Sequence, residues 1–233
     1  MGARGDPLRR APTRSRTGGA VLEIRRIPLL DYREGLALQD ELAAERARDA
    51  IPDTLVLLEH PSVLTAGRGT PRDLDLDALG LPVHRVPRGG DLTWHGPGQL
   101  VGYWIRRLEG RDRDLHLHLR RIESALIAAV ARFGVEGTRR EGLTGVWVGA
   151  RKIASVGVGV RNWVTRHGFG LNREVDPARW GGFRPCGLDG ETMSDLARLA
   201  PGGAPSRAEL EDAVAEAFTT ISEGPSAPGD HPS

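Results

Sequence analysis

TGVWVGARKIASVGVGVRNWVTRHGFGLN (144–172) holds three apolar runs rich in β-branched residues, separated by short polar breaks. TGVWVG (144–149), KIASVGVGV (152–160) and WVTRHGFGLN (163–172) each read as a strand. Gly149-Ala150-Arg151 and Arg161-Asn162 are short enough to be tight turns, so the three strands predict an antiparallel meander. Strict alternation places Lys152, Ala154 and Val156 on one face, with Ile153, Ser155 and Gly157 on the other.

The same reading extends outward in both directions. Upstream, VLEIRRI (21–27), TLVLLEH (54–60), residues 83–87 and LVGYWI (100–105) predict strands, and His60-Pro61 ends the second. Helices are predicted from Asp31, a candidate N-cap, to Asp49, and from Leu115 to Phe133 with Gly134 as C-cap. A short helix is expected over 73–80 and a loop over 88–98. Downstream, Ser206 and Glu209 form a capping box that opens a last helix over 206–222. Hairpins mixed with a βα order predict an α+β fold, with helices packed on mixed, largely antiparallel sheets. Residues 1–20 read as a disordered Arg-rich extension, 21–222 as a single domain and 223–233 as a disordered tail.

The 233 residues carry a formal net charge of +1, which argues against a dedicated nucleic-acid binder. No apolar run approaches the roughly 20 residues of a membrane span, and the basic N-terminus has no apolar segment behind it. One cysteine excludes an intrachain disulfide framework and multi-cysteine metal sites, and is compatible with the cytoplasm. No metal site is predicted: His116-Leu117-His118 opens an amphipathic helix, where solvation or capping is the ordinary use.

Lys152 is the only lysine and Cys186 the only cysteine; every other cation at neutral pH is arginine. An arginine stays protonated in proteins, so a lone lysine suggests a proton that must be able to leave. The plain alternatives are a drifted surface lysine and a small core cysteine. Pro185 and Gly187 flank Cys186 in a turn able to present the sulfur. RGGDLTWHGPGQ (88–99) carries glycines at both ends of a polar stretch, reading either as a sharp hairpin connection or as a site. HGFGLN (167–172) sets small residues at alternate positions, enough to line a narrow slot.

EHPSVLTAGR (59–68), RGGDLTWHGPGQLVGY (88–103), GVWVGARKIASVGV (145–158), HGFGLN (167–172) and RPCGL (184–188), in this order, resemble the octanoyltransferases of lipoate biosynthesis. The resemblance spans about 22–220 and implies the fold of biotin- and lipoate-protein ligase catalytic domains. It implies transfer of an octanoyl group from acyl carrier protein to a lysine of lipoyl domains, as in 2-oxoacid dehydrogenase complexes and the glycine cleavage H protein. Carried over residue by residue, Cys186 matches the acyl-accepting cysteine and Lys152 the lysine that lowers its pKa. Arg88, Gly89, Gly90, Asp91, Leu92, Thr93, Trp94 and His95 match one substrate-binding stretch. Ser155, Val156 and Gly157 match a second, and Gly168, Phe169 and Gly170 a third. Trp94 stands where the family usually has Tyr or Phe, and Trp104 where proline is common.

That chemistry needs no cofactor, and a cytoplasmic monomer is expected. Two other readings stand beside it: a lipoate–protein ligase of the same fold, which activates a free acid with ATP, and a non-catalytic carrier-binding protein. The Pro-Cys-Gly turn speaks against the ligase, and retention of both Lys152 and Cys186 against the binding protein.

Overall fold

A computed structural model of the chain describes residues 21–180 and 190–223. Cys186, the Arg-rich extension and the tail beyond Glu223 lie outside the described residues. Among the described residues, ten strands form two sheets. The larger contains β1 (Leu22–Ile27), β2 (Asp53–Leu58), β6 (Gln99–Ile105), β7 (Thr138–Arg140), β8 (Leu143–Val148), β9 (Arg151–Arg161) and β10 (Val164–Asn172). Its order is β1-β2-β6-β10-β9-β8-β7, parallel between β1 and β2 and antiparallel elsewhere. The smaller sheet pairs β3 (Val63–Ala66) with β4 (Val83–Arg85) in parallel and with β5 (Leu92–His95) antiparallel.

Period-two alternation builds the two faces of the large sheet. Leu55, Leu57, Leu100 and Trp104 pack under α2 (Leu115–Ala131) and α4 (Arg207–Glu223), against Ile122, Leu126, Val214 and Phe218. Val56, Leu58, Val101, Tyr103 and Ile105 point the other way, towards Leu42 of α1 (Tyr32–Ala47). Asp31 caps α1 by accepting from the Arg33 N–H at 2.8 Å. Ser206 and Glu209 exchange capping bonds at the start of α4, at 3.3 and 2.8 Å. A four-residue helix, α3 (Leu196–Leu199), lies between β10 and α4.

The expected meander forms, but Arg151 and Arg161 belong to β9 and Trp163 to the second turn, against the turns expected at Gly149-Ala150-Arg151 and Arg161-Asn162. Val148 pairs with Arg151 and Arg161 with Val164, leaving two-residue turns at Gly149-Ala150 and Asn162-Trp163. Asn162 and Trp163 both take left-handed backbone, φ 52° and 60°, which matches the twist of a tight hairpin. Three expectations need correction. Residues 92–95 are a strand, because Leu92–His95 pairs with Val63–Ala66 across a ladder invisible in either segment alone. The helix expected over 73–80 is only a 3-10 turn, Asp77–Leu79. The alternation at Lys152 is broken: Val146 pairs with Ala154 but Trp147 pairs with Lys152, a β-bulge with one extra residue on β9. Lys152 therefore shares the face of Trp147, opposite Ala154, and joins the side carrying Ser155 and Gly157.

Candidate active site

A narrow cleft, partly open to solvent, lies where the two sheets meet. The loop before β5 contributes Arg88, Gly89 and Gly90, and β5 itself contributes Thr93 and His95. From β9 come Ser155, Val156 and Gly157, and from β10 Gly168, Phe169 and Gly170. The register explains their meeting, since Ser155 pairs with Gly170 and Gly157 with Gly168. Three segments, two of them adjacent strands and the third far upstream in the chain, thus form one wall.

The remaining stretch residues are elsewhere. Leu92 and Trp94 alternate away from the cleft; Trp94 packs among Leu64, Val175, Trp180 and Met193. Asp91 is outside the wall, and its carbonyl accepts from Arg88 at 2.7 Å. Lys152 is buried (3% exposed), with Nζ 5.6 Å from the Trp147 ring centroid, a cation–π distance. It does not line the cleft itself.

Arg88 works largely as a clamp. Its guanidinium donates to the Gly89 carbonyl at 2.9 Å, to the Thr65 carbonyl and hydroxyl, both at 2.8 Å, and to the Asp91 carbonyl. The Gly89 N–H donates to the Val158 carbonyl at 3.0 Å, fastening the loop onto β9. That approach needs glycine beneath it: a Cβ at Gly159 would stand 2.6 Å from the Pro87 carbonyl oxygen.

His167, which opens the HGFGLN segment named from sequence, also lines the cleft, as do Tyr32, Val101 and Tyr103, which the sequence did not mark as site residues. Tyr32 stacks on His84 at 5.1 Å and meets the His60 ring edge-on at 5.0 Å. The His60 ring is held between the Leu30 carbonyl at 2.7 Å and the Tyr103 hydroxyl at 2.5 Å. The motif GQLVGY did contain Tyr103, but nothing marked Tyr32 beyond its place after a capping aspartate. Burial pushes the imidazoles of His60 and His167 down to about 4 and that of His95 to about 3. It lifts the Tyr32 hydroxyl to about 12 and Tyr103 well above its usual value. At neutral pH these rings are uncharged, and Arg88 is the formal charge on the described wall. Among the described residues, no group of three or more His, Cys, Asp or Glu is placed to hold a metal ion, and no helix is long and apolar enough to cross a membrane.

The lipoyl protein ligase A/B catalytic domain matches residues 31–219. A protein of Syntrophotalea carbinolica named octanoyltransferase is 44% identical over 86% of this chain and 94% of its own length. One of the same name from Geobacter metallireducens is 50% identical over 76% of this chain and 82% of its own. Among solved structures, lipoate-protein ligase A bound with ATP superposes with a TM-score of 0.67 at 15% identity, covering 84% of both chains. That last likeness is one of fold, and it agrees with the mixed sheets packed with helices described above. The length and level of the sequence matches go further, and this chain belongs to the lipoyl protein ligase A/B catalytic-domain family.

Proposed function

We propose that this chain is an octanoyltransferase, moving an octanoyl group from octanoyl–acyl carrier protein to a lysine of lipoyl domains in protein lipoylation. The observation that carries the reading is the convergence of residues 88–90, 93, 95, 155–157 and 168–170 on one cleft, in a chain 44% identical to a relative of that name. In the first step the Cys186 thiolate attacks the thioester carbonyl of the donor, and the carrier leaves as its thiol, taking its proton from the Lys152 ammonium. In the second, the neutral amine of the acceptor lysine attacks the Cys186 thioester; the C–S bond breaks, an amide forms and the amine loses a proton. Lys152, left neutral by the first step, is the group assigned to that proton; before that step its ammonium favours the Cys186 thiolate in this reading. The bulge supports this assignment, since it turns Lys152 to the sheet face that carries Ser155 and Gly157.

Lipoyl domains of 2-oxoacid dehydrogenase complexes and the glycine cleavage H protein are the acceptors in this reading, with a monomeric enzyme acting in the cytoplasm without a cofactor. The neutral rings of Tyr32, His95 and Tyr103 beside Val101, over Gly157, Gly168 and Gly170, give the cleft surface suited to an acyl chain. Intact-mass measurement after incubation with octanoyl–acyl carrier protein tests the proposal. One octanoyl group is expected on the wild-type chain and none on Cys186→Ala. An unmodified wild-type chain that still octanoylates lipoyl domain would remove the covalent step.

A further inference from the structure

We propose that Gln99 and Asn172 are positioning residues that hold His95 as its Nδ1–H tautomer, presenting Nε2 to the cleft as an acceptor for the amine of the incoming lysine. The identity of that donor rests on the function proposed above; the tautomer does not.

Gln99 and Asn172 stand directly opposite one another across β6 and β10, so their side chains share a face, and both are buried. The Asn172 Nδ2 group donates to the Ser194 carbonyl at 2.8 Å. A carbonyl can only accept, so this bond fixes the orientation of the Asn172 amide and turns its Oδ1 towards Gln99. Gln99 Nε2 donates to that oxygen at 2.9 Å, which leaves Gln99 Oε1 facing His95 Nδ1 at 2.7 Å. An amide oxygen also only accepts, and so the proton must sit on Nδ1. The Ser194 N–H donates to the Lys152 carbonyl at 2.9 Å, anchoring the relay to β9. Gly170 makes room for it, because a Cβ there would stand 2.7 Å from Gln99 Oε1.

His95 Nε2 has no hydrogen-bond partner among the described residues, and His95 lines the cleft beside Thr93. Burial, with the neighbouring His60, pushes the His95 pKa down to about 3. A nitrogen that weakly basic is a poor resting place for a proton at neutral pH, yet it accepts a hydrogen bond. His95 accordingly orients the amine and leaves the proton to Lys152.

The test is a long-range proton–nitrogen NMR correlation on the full chain labelled with ¹⁵N-histidine, with His95 identified by its loss in His95→Gln. The expected wild-type pattern is Nδ1–H with bare Nε2, held from about pH 6 to 8. Gln99→Met should lose that pattern and lower kcat/KM for the lipoyl-domain acceptor about tenfold. Asn172→Leu, out of reach of His95, should give mixed tautomers by freeing the Gln99 amide to turn over. An Nε2–H tautomer in the wild type overturns the assignment, whatever the chain transfers. Retained Nδ1–H with undiminished kcat/KM in Gln99→Met overturns the positioning role. If either variant fails to fold, the wild-type spectrum still decides.

Discussion

Replacing Gly159 by alanine tests whether the loop over β9 is as tightly seated as its geometry implies. The new Cβ would lie 2.6 Å from the Pro87 carbonyl oxygen and 3.4 Å from His167 Cδ2. The carbonyl is backbone, and the four donations made by Arg88 hold the residues that follow it. Two responses are open to the chain. It can accept the compression, at about 1–3 kcal/mol, or lift the loop and lose the Gly89–Val158 bond, worth about 1 kcal/mol, together with the contacts beneath it. Either route costs about 2 kcal/mol, a fall in Tm of about 4–8 °C for a chain of this size. Gly157→Ala is the internal control: its Cβ would be 3.2 Å from the Gly89 carbonyl oxygen, relieved by a shift of a few tenths of an ångström. It should cost less than about 1 kcal/mol. Lifting the loop also moves Arg88, Gly89 and Gly90 in the cleft wall, and a displacement near 1 Å can lower turnover on the order of 10²-fold. Thermal unfolding and octanoyl transfer to lipoyl domain would be measured on both variants. Gly159→Ala melting within about 1 °C of wild type with an unchanged rate would refute the reasoning.

Two further outcomes are expected. Lys152→Arg keeps a cation but one that does not give up its proton, and should lower single-turnover transfer about 10²–10⁴-fold while the chain stays folded; a full rate removes the proton-handling role. His118 is buried against Trp104 with neither ring nitrogen hydrogen-bonded, and burial, reinforced by Arg106 and Arg121, pushes its pKa down to about 3. The unfolded chain takes up that proton below about pH 6.5 and the folded chain does not, so stability is whole above that pH and falls as the pH drops towards 3, by about 1.4 kcal/mol per unit. His118→Phe should therefore gain about 2 kcal/mol more over wild type at pH 5 than at pH 8 with transfer unaffected; equal gains at both pH values would dispose of the linkage.

Much of the fold was legible because the large sheet writes its two faces into alternate residues. Leu55 and Leu57 go to one core, Val56 and Leu58 to the other, and the meander from 143 to 172 carries its own turns. The small sheet was not legible. Val63–Ala66 and Leu92–His95 are four residues each, and only their pairing makes them strands. The Lys152 face was misread for a similar reason, since a bulge is a property of two strands in register and strict alternation cannot reveal it. The site was legible as segments but not as a geometry. Thr93 and His95 face the cleft, whereas Leu92 and Trp94, adjacent in the same motif, serve a core.

β5 carries the polar side chains of the cleft yet belongs to a sheet that shares no ladder with the one forming the opposite wall. Its position depends on what fastens its two ends. At one end the 88–91 loop is tied to Thr65 by Arg88 and to β9 by the Gly89 N–H. At the other, the Gly98 N–H donates to the Glu59 carboxylate at 3.0 Å, and the Gly98 carbonyl accepts from the Arg173 and Glu174 N–H groups, both at 3.0 Å, just beyond β10. The glycines crowding both ends of LTWH therefore belong to two anchors, and that crowding is what makes a strand look like a loop in sequence. It also divides the labour within the motif. The glycines and Arg88 set where β5 lies, and Thr93 and His95 are the side chains it brings to the cleft. Changes at the anchors should accordingly disturb stability and turnover together, while changes along the relay behind His95 should fall mainly on turnover.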